Sequence, residues 1–255
     1  LREEAKNETC TLAEIEQLEP PAFVIDSLLP RPGVVVIGGA PKIGKSVLAF
    51  GAIVDAIARG TVFGEYRASI ARAFYFNAEG GTGIMRSRAA SWDSLSSEQR
   101  LQVMVSGRIL KITDSNGKLD ESTVDTIAHY VRRHIDPVDL VCFDPLVYYH
   151  AGDENKNDHM QHAMEGFSRV AKRLDCGVLI VHHANKRSGD SLRDTRPGGR
   201  DLRGADAVFA AADGVIVVTG SMDTAERHLF MDLRHGDSKT IDMRFDKRKM
   251  RMERV

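Results

Sequence analysis

Eight residues, Gly39-Ala40-Pro41-Lys42-Ile43-Gly44-Lys45-Ser46, constrain this chain more than any other stretch. They match G-x-x-x-x-G-K-[ST] without a mismatch, between the apolar run Val34-Val35-Val36-Ile37 and a helix-patterned segment over 45–59. A run of four apolar residues suits a strand covered on both faces. Glycines let successive backbone N–H groups converge on one point, and the helix N-terminus adds partial positive charge there. The spacing therefore predicts a nucleotide cradle running from Gly39 through Ala40, Pro41, Lys42, Ile43 and Gly44 to Val47. Within it, Lys45 offers an ammonium to the β- and γ-phosphates of ATP, and Ser46 a hydroxyl to Mg²⁺.

The pattern around this loop alternates. Strands are expected at 70–77, 105–112, 139–144, 178–183 and 214–219, and helices near 12–18, 83–91, 96–103, 121–134, 157–174 and 204–212. Alternation of this kind implies an α/β fold with a mostly parallel twisted sheet flanked by helices. Closely spaced strand patterns at 226–233, 239–245 and 249–254 imply an antiparallel C-terminal edge. Residues 1–20 are polar and acidic and read as an N-terminal arm or linker, with one domain over 21–255. The first residue is Leu1 rather than Met, as in an excised domain.

Three further positions fall at strand ends, where open α/β sheets bind ligands. Asp144 closes Asp139-Leu140-Val141-Cys142-Phe143-Asp144 and suits a Mg²⁺-holding carboxylate. Glu79 follows Ala73-Phe74-Tyr75-Phe76-Asn77-Ala78 and can orient or deprotonate an attacking water. His182-His183 closes Val178-Leu179-Ile180-Val181, and three readings stand for it: a γ-phosphate sensor, a satisfied structural histidine, or a metal ligand. The loop 186–203 carries Lys186, Arg187, Arg193, Arg196, Arg200 and Arg203 among three aspartates. It can contact a phosphate backbone or be a solvated charged loop. The tail Lys247-Arg248-Lys249-Met250-Arg251-Met252 reads as an exposed, alternating edge strand.

Composition sets limits. Lys plus Arg number 35 against 36 Asp plus Glu, a net charge of −1, so any polyanion site must be a local patch. Hydrophobic residues at 42% and charged residues at 28% read as soluble and globular. No run approaches the roughly 20 apolar residues of a membrane span, and no signal peptide is evident. Cys10, Cys142 and Cys176 lack ligand spacing, and the latter two read as small buried hydrophobes, as suits a reducing cytoplasm.

Taken in order, these parts resemble the RecA-fold P-loop ATPases, and within them the RepA-like hexameric replicative helicases of plasmids and phages. The resemblance spans roughly 20–255. It rests on Leu28-Leu29-Pro30 before the loop, Phe76-Asn77-Ala78-Glu79-Gly80, Phe143-Asp144-Pro145-Leu146, Gly152-Asp153-Glu154-Asn155, Val181-His182-His183-Ala184-Asn185-Lys186 and Leu202-Arg203-Gly204-Ala205. The likeness implies Lys45 and Ser46 on the phosphates and Mg²⁺, Asp144 on Mg²⁺, Glu79 as catalytic base and His183 as γ-phosphate sensor. It also implies Arg86 against the adenine, with Arg88 as the other candidate, and loops 149–157 and 186–203 lining a channel for single-stranded DNA. Related ring ATPases carry a K-x-R-x-G element that reaches the neighbouring subunit's nucleotide. Asp232-Leu233-Arg234-His235-Gly236 matches it with Asp232 in the lysine position, so Arg234 reads as an arginine finger or as a strand-edge arginine with a surface partner. The function so implied is an ATP-dependent motor in a cytoplasmic homo-hexameric ring on single-stranded DNA. The alternatives are a recombinase or mediator ATPase, and a low-turnover nucleotide-switched loader.

Overall fold

A computed structural model describes residues 11–17, 19–89, 94–183 and 205–255. The strands β1 (Phe23–Ile25) and β2 (Leu29–Pro30) form a short ribbon, and β3 (Gly33–Gly39) leads into the phosphate loop. After the short helix α1 (Leu12–Ile15), the first long helix is α2 (Lys45–Arg59), followed by the small ribbon β4 (Thr61–Val62) and β5 (Tyr66–Arg67). Next come β6 (Ala73–Asn77), α3 (Gly81–Ala89), α4 (Ser97–Arg100), β7 (Val103–Ser106), α5 (Glu121–His134) and β8 (Leu140–Asp144). The chain continues through α6 (Asn157–Leu174), β9 (Gly177–Val181), α7 (Ala205–Ala211), β10 (Gly214–Thr219), β11 (Glu226–Leu233), β12 (Lys239–Asp246) and β13 (Arg251–Arg254).

Nine strands form one sheet in the order β13-β12-β11-β10-β3-β9-β8-β6-β7. From β10 to β7 every pairing is parallel, and from β10 to β13 every pairing is antiparallel. The mostly parallel sheet with an antiparallel C-terminal edge is thus as expected.

Alternation along β3 explains why its sequence is continuously apolar. Val35 and Ile37 pack with Leu48 and Ile53 of α2, whereas Val34 and Val36 join the core built with α5 and α6. Both faces are dry, so neither set is polar. Phe76 stacks on Phe143 at 4.9 Å between centroids on the α6 side. Local chemistry sets the helix ends: the Asp120 carboxylate accepts from the N–H groups of Ser122 and Thr123 to start α5. Asp175, at φ 47°, ends α6. Cys142 and Cys176 are buried, as expected.

Several boundaries differ from expectation. The strand expected at 105–112 is Val103–Ser106; beyond it Ile112 still reaches the core, but its N–H binds the Tyr149 carbonyl rather than a ladder. The helix expected at 96–103 is only Ser97–Arg100. Residues 247–250 are a turn, not strand, because the Asp246 carboxylate accepts from the N–H groups of Arg248 and Lys249. Among the described residues no helix is long and apolar enough to cross a membrane.

Candidate active site

The sheet order places four strand ends side by side: β3 with its loop, β9 with His182-His183, β8 with Asp144 and β6 leading to Glu79. Gly39 ends β3 at φ 151°, and a Cβ there would lie 2.5 Å from the Val218 carbonyl oxygen. Gly44 precedes α2 at φ 105°, and no side chain caps that helix. Its first N–H groups are thereby left for an anion.

The Lys45 ammonium is buried and donates to the carbonyls of Gly39 at 3.0 Å and Ala40 at 2.8 Å. Burial lowers its pKa to about 8, against the opposing pull of Asp144 and Glu79. The Ser46 hydroxyl donates to Asp144 Oδ1 at 3.0 Å. Tyr75, fully buried in β6, donates to Asp144 Oδ2 at 2.5 Å. Burial first, and then Asp144, raises the Tyr75 pKa well above normal, so the phenol remains a donor. Burial likewise raises the Asp144 pKa, with the Tyr75 and Ser46 hydrogen bonds opposing it.

A hydroxyl and a carboxylate oxygen in contact are hard donors of the kind Mg²⁺ takes alongside phosphate oxygens, so Ser46 and Asp144 fit the ion. Among the described residues no group of three or more His, Cys, Asp or Glu is placed to hold a metal alone. The metal reading of His182-His183 gains nothing from this.

Other expected residues fall as follows. Glu79 is exposed, two residues past the level at which Asn77 pairs with Asp144. His182 is buried and its N–H binds the Ile37 carbonyl at 2.9 Å; His183 is half-buried one residue further. On α3, Arg86 is exposed, whereas Arg88 turns inward with Nη1 3.8 Å from Asp144 Oδ2. Val47 is buried on α2. Arg234 lies at the opposite end of the sheet, just beyond the pair Leu233–Gly214. There its guanidinium donates to the Ala210 carbonyl at 2.7 Å and stands 3.8 Å from Asp213. Lys186, Arg187, Arg193, Arg196, Arg200 and Arg203 lie outside the described residues.

Two residues were not anticipated. Tyr75 carried a signal: a tyrosine inside a dry strand needs a partner for its hydroxyl. Arg227 is 1% exposed in β11, on the inward register with Leu229, Met231 and Leu233.

A family model described as AAA domain (AAA_25) matches residues 2–189. The chain belongs to the AAA_25 family. The match takes in the phosphate loop, Glu79, Asp144 and the paired histidines of this AAA_25 chain. Comparison with curated proteins returns no match. Among solved structures, the chain is similar to the ATPase domain of a helicase, with a TM-score of 0.65 and 14% identity over 88% of this chain and 86% of that one. It is also similar to a DnaB-like replicative helicase described with its primase interactions, with a TM-score of 0.66 and 14% identity over 95% of this chain and 66% of that one. A KaiC-like protein of Pyrococcus horikoshii OT3 matches with a TM-score of 0.56 and 15% identity, over 92% and 95% of the two chains. These likenesses establish the RecA-like P-loop fold expected from the sequence.

Proposed function

We propose that this AAA_25 chain is the ATP-hydrolysing motor of a ring helicase that moves on single-stranded DNA, with residues 21–255 as its ATPase domain. The observation that carries the ATPase reading is Asp144 held by both the Ser46 hydroxyl and the Tyr75 phenol beside the buried Lys45. The helicase reading draws on the likeness to the solved helicase ATPase domain and to the DnaB-like fold.

In this scheme Lys45 exchanges the Gly39 and Ala40 carbonyls for β- and γ-phosphate oxygens, and the amides around Gly44 cradle the rest. Ser46 and Asp144 hold Mg²⁺, which supplies positive charge shared between the β- and γ-phosphates. Glu79 orients the attacking water and accepts its proton, and His183 responds to the γ-phosphate from the end of β9. Arg86 lies against the base. Arg234, far from its own phosphate loop, serves the nucleotide of an adjacent copy in a hexamer. Such an arginine supplied in trans is worth about 10³–10⁵ in rate. The basic loop 186–203 contacts the DNA strand, and the ring works in the cytoplasm.

Asp232 favours a second reading, a nucleotide-switched loader with little turnover. It stands where the ring-ATPase pattern has a lysine, and it accepts from the Ser238 hydroxyl at 3.2 Å. One measurement separates the two: ATPase rate with and without single-stranded DNA, alongside oligomer mass. A motor gives a DNA-stimulated rate and a closed-ring mass. An unstimulated rate from a monomer would remove the motor reading.

A further inference from the structure

A buried arginine without a carboxylate is a costly thing to keep, and Arg227 sits directly behind the phosphate loop. Its Nε donates to the Ile43 carbonyl at 3.0 Å, across 184 residues of sequence. Its Nη1 is shared among the carbonyls of Ser221 at 2.8 Å, Thr224 at 2.9 Å and Glu226 at 2.6 Å. The guanidinium also lies 5.6 Å from the centroid of the Phe245 ring. Among the described residues no carboxylate pairs with it, and burial alone draws its pKa down. Arginine nonetheless keeps its proton, so a full positive charge stays buried there.

Gly220 is shaped for this grip. It sits at φ 136°, and a Cβ on it would lie 2.5 Å from the Glu226 carbonyl oxygen and 3.1 Å from Arg227 Cδ. Only a residue without a side chain lets the turn between β10 and β11 close over the guanidinium. The same turn and the phosphate loop form the two walls of a cavity of about 550 Å³, lined by Ala40, Pro41 and Ile43 on one side and Thr219, Ser221 and Asp223 on the other.

We infer that Arg227 is a positioning residue that presents the phosphate loop to its anion, by pinning the Ile43 carbonyl and by placing an unpaired positive charge behind the cradle. The first effect follows from peptide planarity. The Ile43 carbonyl and the Gly44 N–H share one trans peptide unit and point in opposite directions. Holding that carbonyl on Arg227 turns the Gly44 N–H away from Arg227, where an anion can meet it. The second effect is Coulombic and acts on any polyphosphate. A staple that only closed the β10–β11 turn would need the three turn carbonyls and not Ile43. Lysine, with a point charge and no planar fork, can replace the charge but not the bridge.

The inference rests on the reading of the loop as an ATP site, and the test keeps the two apart. Affinities for MgATP and for inorganic tripolyphosphate are measured on the wild-type chain, Arg227→Lys, Arg227→Gln and Gly220→Ala, well below each variant's melting temperature. Because a hydrogen bond to a charged group is at stake, Arg227→Gln is expected to weaken both ligands about 30-fold and Arg227→Lys about 5-fold. Gly220→Ala should lie between wild type and Arg227→Gln, with both ligands falling in the same proportion. At saturating ATP, kcat should stay within about threefold while KM rises, as for loss of uniform binding. Wild-type affinity in folded Arg227→Gln overturns the inference, as does a loss confined to MgATP. Should Arg227→Gln not fold, wild-type affinity in Arg227→Lys and Gly220→Ala together overturns it. A wild-type chain that binds neither ligand sinks the ATP-site reading itself.

Discussion

The strands β6, β8 and β9 and the strands β11, β12 and β13 belong to one sheet but treat polar side chains differently. In the first group every residue is buried, and polar groups gather at the carboxyl ends, as with Asn77, Asp144 and His182. In the second group burial alternates with exposure along each strand, so polar residues are ordinary on one face and exceptional on the other. A sheet dry on both faces can place chemistry only at its rim, whereas a half-wet sheet can support that chemistry from behind. Met252 of β13 does so too: a Cβ on Gly44 would lie 2.4 Å from its Cε. Arg251 likewise holds Asp55 of α2 at 2.9 Å.

Substitutions in the two groups should therefore fail in different ways. The largest effect is expected from Lys45→Ala, which removes a buried charge from the cradle. MgATP affinity should fall about 10²- to 10³-fold while the melting temperature holds or rises, since a desolvated ammonium is lost. Unchanged affinity in a fluorescence titration would contradict the site. Glu79→Gln comes next, with turnover reduced about 10²-fold and nucleotide affinity nearly unchanged. Single-turnover kinetics would check it, and an undiminished rate would move the base elsewhere.

A pH series gives a smaller effect. The Lys45 pKa of about 8 in the free protein must rise when an anionic phosphate binds beside it. Binding then takes up a proton above pH 8, so affinity is full below that value and falls about tenfold per pH unit above it. Calorimetry in buffers of different ionisation heat reads that uptake directly, and no uptake at pH 8.5 would contradict the assignment. The smallest effect belongs to Arg251→Ala in the half-wet region. Its pair with Asp55 is partly exposed, so the loss should stay below about 1 kcal/mol in urea denaturation, with nucleotide affinity intact.

The legibility of the sequence follows the same division. The phosphate loop, α2, α5 and α6 were readable because glycine spacing, caps and amphipathic period all agree over long stretches. Asp144 and Glu79 were readable because dry strands announce their ends. The ribbons β1–β2 and β4–β5 were not, since two- and three-residue strands leave no period to detect. Residues 107–112 misled because Ile112 is apolar and buried without belonging to a ladder. Arg227 did leave a trace: the alternation of β11 puts a cation on the register of Leu229 and Met231. Its distant partner, the carbonyl of Ile43, is a backbone atom, and no side-chain pattern encodes it.

Lys45 already spends its protons on two oxygens of its own loop. An incoming triphosphate therefore swaps one set of acceptors for another instead of recruiting a roaming side chain from solvent. The arrangement resembles a key ring more than a mousetrap: the fastening is kept and only what hangs on it changes. Little ordering entropy remains to be lost at that moment, so nucleotide exchange can be quick in both directions.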